Sequence, residues 1–117
     1  MPDFYYYPRC GTCRKAMKWL DEHHIQYTPH DLVKNPPSAA QLEKWMKMTD
    51  LPQKRFFNTS GQHYRQGLKD KVNEMSCTEA CTVLSNDGML IKRPIMVDDS
   101  RITVGFKEAE YEETWNK

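Results

Sequence analysis

Short hydrophobic runs alternate with amphipathic stretches at both ends of the chain. Four runs have the apolar or alternating pattern of strands: residues 3–7, 25–28, 95–97 and 102–104. Two stretches have helical spacing: residues 11–24 and 108–115. Asp98 to Arg101 predicts a tight turn, which makes the last two strands antiparallel neighbours. The first strand, helix and second strand predict a parallel unit with a right-handed crossover.

The middle of the chain predicts helices rather than strands. Ser38 is a predicted N-cap of one helix, and either Ser76 or Thr78 is the predicted N-cap of another. The polar stretch 62–75 predicts short helices. We therefore expect one domain over 1–117, with an α/β core of about 1–35 and 88–117 and a helical insertion of about 36–87.

Charge and composition limit the functions that the chain can have. Its 117 residues suffice for one ordinary domain, and 17 basic residues nearly balance 16 acidic ones. This balance argues against general binding to nucleic acid or to membrane surfaces. No apolar run approaches the roughly 20 residues that span a bilayer, and the first residues lack a secretory signal pattern. We expect a cytoplasmic monomer with no direct nucleic-acid or membrane contact.

Cys10 and Cys13 stand where the first predicted strand gives way to the first predicted helix. Unpaired N–H groups and the helix dipole stabilise a thiolate there, so the thiol pKa falls below about 8.5. Arg9, Arg14 and Lys15 add positive charge nearby. Cys10 is the predicted nucleophile, and Cys13, one turn later, is placed to resolve a mixed disulfide. A C-x-x-C pair beside a β-α-β unit is typical of a thioredoxin-like (glutaredoxin-like) mixed sheet.

A second pair of cysteines follows in the predicted helical region. Cys77 and Cys81 are four residues apart and would share one face of a helix, where we expect them to be small apolar core residues. A zinc site built from all four cysteines is an alternative. The spacing disfavours it, because residues 14–76 separate the pairs, whereas zinc pairs usually lie about 15–20 residues apart. We expect no metal.

Five segments of the chain match, in order, the sequence pattern of one known family. They are Tyr7 to Ala16, Asn35 to Ser38, Phe57 to Gly61, Leu90 to Ile95 and Val104 to Phe106. On these segments the chain resembles the arsenate-reductase-like (ArsC/Spx/MgsR) family, of thioredoxin-like fold. The resemblance implies that Cys10 is the family's nucleophile, that Arg93 lies over its sulfur, and that Pro94 is a cis proline lining the substrate groove. A guanidinium near a thiolate would also lower the thiol pKa on physical grounds alone.

The resemblance and the C-x-x-C pair together imply a thiol–disulfide redox protein, which as an enzyme would act on an oxidised substrate. The expected catalytic residues are Cys10, Cys13 and Arg93. The expected substrate contacts are Gly11, Thr12, Arg14 and Pro94. No cofactor is expected. The expected partner is a protein disulfide or a thiol reductant, with glutathione or thioredoxin as that reductant.

The family also implies two other functions. Its arsenate-reducing members carry arginines near Asn58 and near Phe106 or Lys107, and serine at the position of Cys13; the chain differs at each. These differences disfavour arsenate reduction. Its Spx-type members are redox-sensing transcriptional regulators in which the cysteine pair is a switch, and Cys13 matches that pattern. Their glycine that contacts RNA polymerase would fall near Pro52, where the chain has no glycine, so the sequence does not support polymerase contact there.

Overall fold

A computed structural model describes residues 1–67 and 71–116 of the chain. Within them it contains the strands β1 (Asp3–Tyr6), β2 (Thr28–Asp31), β3 (Ile95–Val97) and β4 (Ile102–Val104). The α-helices are α1 (Gly11–Glu22), α2 (Ala39–Lys47), α3 (Gln62–Gly67), α4 (Cys77–Asn86) and α5 (Glu108–Trp115). Short 3₁₀ helices span Gln53–Phe56, Val72–Glu74 and Gly88–Leu90.

The four strands form one mixed sheet in the order β2-β1-β3-β4. β1 runs parallel to β2 and antiparallel to β3, with Tyr5 opposite Ile95. β3 and β4 form the predicted antiparallel hairpin. The α/β mixed sheet predicted from the sequence is therefore confirmed. Because β1 and β3 are antiparallel neighbours, the residues that follow Tyr6 and those that precede Ile95 lie at the same end of these two strands.

Residues 1–31, together with the chain from residue 93 onward, form one compact unit. Its buried core packs α1 and α5 against the sheet and consists of Phe4, Ala16, Trp19, Leu20, Met96, Tyr111 and Trp115. Trp19 meets Tyr111 edge-on, with ring centroids 5.5 Å apart. The indole N–H of Trp115 donates a buried hydrogen bond of 3.0 Å to the Thr103 hydroxyl, which ties α5 to β4. Each large apolar side chain buried in this way contributes about 1.5–3 kcal/mol.

Residues 32–92 form a second compact unit, in which α2 packs against α4. Two of the predicted N-caps are confirmed: the Ser38 hydroxyl accepts a hydrogen bond of 3.1 Å from the Gln41 N–H, and the Ser76 hydroxyl accepts one of 3.1 Å from the Glu79 N–H. The short helices predicted within 62–75 are present as α3 and the Val72–Glu74 turn. Residues 68–70, which the same prediction includes, lie outside the described residues.

The second strand does not lie where the sequence pattern predicts it. Residues 25–28 were the expected strand, but β2 begins at Thr28. The residues before β2 instead terminate α1. His24 has a left-handed backbone, with φ 57°, and the Ile25 N–H donates a hydrogen bond of 3.0 Å to the Leu20 carbonyl. Ile25 and Tyr27 pack against the core beside the sheet. Pro29 fits within β2 because that strand is at the edge of the sheet.

The prediction that Cys77 and Cys81 are both buried is correct for one of the two residues. Cys81 is buried, but Cys77 is exposed because it is the first residue of α4, at the open end of the helix. The three tryptophans are buried. Among the described residues, no helix combines the length and the apolar character needed to span a membrane.

Candidate active site

Cys10 lies at the start of α1, in the turn that follows β1. Its backbone is extended, with φ −89° and ψ 116°, and it is the N-cap residue of the helix. Its N–H donates to the Tyr7 carbonyl at 3.0 Å, which closes the turn. Its sulfur accepts a hydrogen bond of 3.3 Å from the Cys13 N–H, so the thiol takes the role that Ser or Asp usually has at this position.

Arg93 reaches this sulfur from the start of β3. Its guanidinium lies over the Tyr7 ring, 5.1 Å from the centroid, and hydrogen-bonds the Cys10 sulfur. The Arg93–Pro94 peptide bond is cis, and Pro94 is buried. The Pro94 carbonyl accepts a hydrogen bond of 2.8 Å from the N–H of Gly105, whose φ of 85° favours glycine. The antiparallel pairing of β1 with β3 thus brings a guanidinium to a thiol that is distant in sequence.

The two thiols differ strongly in acidity. A hydrogen bond from the Cys13 thiol, a second from the Cys13 N–H, and the Arg93 guanidinium lower the pKa of Cys10 to about 5, although partial burial opposes them. The hydrogen bond to Cys10, together with complete burial, raises the pKa of Cys13 well above its usual range. At neutral pH the pair therefore holds one negative charge, on Cys10, and one proton, on Cys13. All four cysteines are free thiols.

The structure places the other predicted site residues as follows. Gly11 and Thr12 are exposed in the first turn of α1, directly after Cys10. Arg14 is also exposed, and its Nε donates a hydrogen bond of 3.2 Å to the Pro8 carbonyl, which holds the side chain along the turn. Tyr7 is a residue that the sequence analysis did not select. Its position three residues before Cys10, in the same matched segment, was the available signal.

Metal-binding groups of the ordinary kind do not gather within the described residues. No three side chains of histidine, cysteine, aspartate or glutamate are arranged there to hold a metal ion. The chemistry that this site offers is that of a thiolate, a neighbouring thiol and a guanidinium.

Fold and site together define a class: a thioredoxin-like α/β protein with two cysteines at the start of its first helix. Comparison with known sequences then gives the family. The model of the ArsC family matches residues 5–114, and the chain belongs to this family. This confirms the resemblance found in the sequence.

Three relatives illustrate the range of this family. Protein YusI of Bacillus subtilis (strain 168) is 49% identical over 113 residues, which are 96% of this chain and 96% of YusI. The global transcriptional regulator Spx of Lactiplantibacillus plantarum is 32% identical over 103 residues, covering 88% of this chain and 77% of Spx. A crystal structure of "a possible arsenate reductase" from Streptococcus mutans UA159 is 47% identical, with a TM-score of 0.89, over 97% of this chain and 96% of that one.

The low pKa of Cys10 predicts an unusual pH dependence of its reactivity. We expect iodoacetamide to alkylate Cys10 in the folded, reduced protein at a rate that rises between about pH 4 and 6 and is level above, because the thiolate reacts and the pKa is about 5. In urea the alkylation rate of Cys10 should depend on pH as that of an ordinary thiol does, with a midpoint at about pH 8.5. Mass spectrometry of the peptide that contains Cys10 measures both rates.

A variant of Arg93 tests the cause of this shift. Arg93→Met keeps an unbranched, flexible side chain and removes the charge and the hydrogen-bond donors, so the midpoint of the folded protein should rise by about one to two pH units. Equal midpoints in the folded and the unfolded protein would contradict the low pKa. An unchanged midpoint in Arg93→Met would assign the low pKa of Cys10 to the two hydrogen bonds from Cys13 alone.

Proposed function

We propose that the protein is a thiol–disulfide redox protein that uses Cys10 as nucleophile and Cys13 as resolving cysteine. One observation carries the proposal: the Cys10 sulfur is the N-cap of α1, between the Cys13 N–H and the Arg93 guanidinium. A thiolate held in this way is a nucleophile at neutral pH and a good leaving group. The reducing cytoplasm expected from the sequence is the setting in which such a pair cycles.

The first step is an attack of the Cys10 thiolate on one sulfur of an oxidised substrate. The substrate's sulfur–sulfur bond breaks, a Cys10–substrate disulfide forms, and the other sulfur leaves as a thiolate. In this proposal Arg93 orients the substrate, and Gly11, Thr12 and Arg14, which are exposed in the first turn of α1, contact it. Pro94 shapes the groove.

The second step uses the buried Cys13. Once Cys10 is in a mixed disulfide it carries no charge, so the main cause of the high pKa of Cys13 is gone. Cys13 then loses its proton to solvent, attacks the Cys10 sulfur and releases the reduced substrate. Two electrons have passed to the substrate, and the pair is a disulfide. A dithiol such as thioredoxin, or two molecules of glutathione, returns the two electrons.

A redox-sensing regulator is the second candidate function. The observation that favours it is the 32% identity to the transcriptional regulator Spx over 88% of this chain. In this case the Cys10–Cys13 disulfide would alter a surface that a partner protein recognises, and RNA polymerase is the partner to test. The absence of glycine at and around Pro52 counts against a polymerase contact of the Spx type at that position.

A redox titration followed by a turnover assay tests the proposal. In glutathione buffers of graded ratio, the Cys10–Cys13 pair should have a potential less negative than about −270 mV, the value for thioredoxin, since a stabilised thiolate favours the reduced form. With thioredoxin and its reductase as the source of electrons, each molecule of the protein should reduce more than one molecule of a glutathione mixed disulfide.

The outcomes separate the candidates. A potential below about −300 mV, typical of structural disulfides, would overturn the redox function altogether. Reversible oxidation without turnover, together with capture of RNA polymerase in only one redox state, would favour the regulator. Arsenate is the last substrate to add: if it accelerates thiol consumption, the protein is an oxyanion reductase despite the absence of arginine at Asn58, Phe106 and Lys107.

A further inference from the structure

Three sulfur atoms meet between α2 and α4, in the unit of residues 32–92. The Cys77 Sγ lies 3.6 Å from the Met46 Sδ, and the Cys81 Sγ lies 3.7 Å from the same atom. Both thiols thus approach the same thioether sulfur, and the three sulfurs form a triangle with Met46 at one corner.

The fold holds this triangle in place. Cys77 and Cys81 are one turn apart on α4, whose first turn is fixed by the Ser76 cap. Met46 comes from α2, the helix that packs against α4. Cys81 is buried and Met46 half-buried, whereas Cys77 is exposed, so the triangle has a closed side and a side open to solvent.

We propose that Met46, Cys77 and Cys81 form a binding site for a soft monovalent metal ion, Cu(I). Thiolate and thioether ligands select Cu(I), whereas thioether is a poor partner for the harder divalent ions. The size also fits: three sulfurs at about 2.3 Å from one ion, a usual metal–thiolate length, lie about 4 Å apart in a trigonal plane. The observed separations need to widen by only a few tenths of an ångström.

Charge and proton balance follow from the ligand types. Cu(I) replaces one proton on each cysteine, both protons go to solvent, and the thioether has none to lose. The oxidation state of copper and of sulfur is unchanged. Two thiolates and one Cu(I) carry a net charge of −1, which the N-terminus of α4 stabilises through its dipole.

The site uses none of the residues of the proposed catalytic function. The test therefore reads the site directly, in the full wild-type chain, by NMR of protein labelled with ¹³C at the methionine methyls. Ag(I) serves as a redox-inert probe for Cu(I). Of the seven methionines, the Met46 methyl, assigned with Met46→Leu, should show the largest shift on adding Ag(I). Anaerobic Cu(I) should move the same methyl, and Zn(II) should not.

Two controls come from the same chain. Met48 follows Met46 by two residues, which places it on the opposite side of α2, so its methyl should shift much less. Cys77→Ser is exposed and should fold normally. It should weaken Ag(I) binding, read on the Met46 methyl, at least about tenfold, since even an outer partner of a metal site is usually worth that much. If saturating Ag(I) leaves the chemical shift of the Met46 methyl unchanged, or if Zn(II) changes it by as much as Ag(I) does, the proposal is wrong.

Discussion

Cys13→Ala should leave a substrate disulfide trapped on Cys10. The half-buried Cys10 thiolate still attacks, but the thiol that would release the product is missing, and only a free thiol from solution can replace it. An intramolecular thiol held one helical turn away acts at a very high effective concentration, so release should slow at least about a hundredfold. Mixing the reduced variant with a glutathione-labelled protein disulfide and following the adduct by mass spectrometry measures this rate.

The reciprocal variant should give the opposite result. Cys10→Ser removes the nucleophile, and Cys13 is too deeply buried and too weakly acidic to take its place. We expect no adduct on residues 10–13 and no turnover. The double variant, Cys10→Ser with Cys13→Ala, is the matched control, because any adduct that it forms belongs to Cys77 or Cys81. A trapped adduct on Cys13 in Cys10→Ser would reverse the assigned roles.

The sequence alone could place the two thiols because their setting is local. A strand followed by a helix start is readable from residues 3–24, and the N-cap position of Cys10 follows from it. Arg93 is different. It reaches Cys10 only through the antiparallel register that sets Tyr5 opposite Ile95, and no local pattern encodes that register. Only the resemblance to the ArsC family identifies Arg93 from the sequence, and its charge then accounts for part of the low pKa of Cys10.

Two features of the structure could not be predicted from the sequence, for physical reasons. The alternation of residues 25–28 predicts a strand, but it arises because Ile25 and Tyr27 pack on the core after the end of α1. The sulfur triangle depends on how α2 and α4 pack, over 31 residues of sequence separation between Met46 and Cys77. A helix face can be predicted from spacing, whereas the residue that meets it from another helix cannot.

Gly88→Ala should destabilise the protein by about 3 kcal/mol, because overpacking against rigid groups has costs of this order. A methyl group at this position would overlap the Leu32 carbonyl oxygen and lie 2.8 Å from the Val33 Cα. These are backbone atoms, which cannot turn aside as a side chain can. The chain must pass this closely because the Gly88–Leu90 turn packs against the start of the unit of residues 32–92. Urea unfolding, followed by tryptophan fluorescence, measures the change.

Gly11→Ala is the matched control for this effect. No atom lies within 4 Å of the position that its methyl group would occupy, and the residue is the first of α1. Alanine loses less backbone entropy than glycine when a helix forms, so the variant should be as stable as the wild type or more stable by up to about 1 kcal/mol. If both variants lost stability equally, the effect would reflect glycine's flexibility in general. A large loss at Gly88 alone would show that close backbone packing at Leu32 is what the glycine permits.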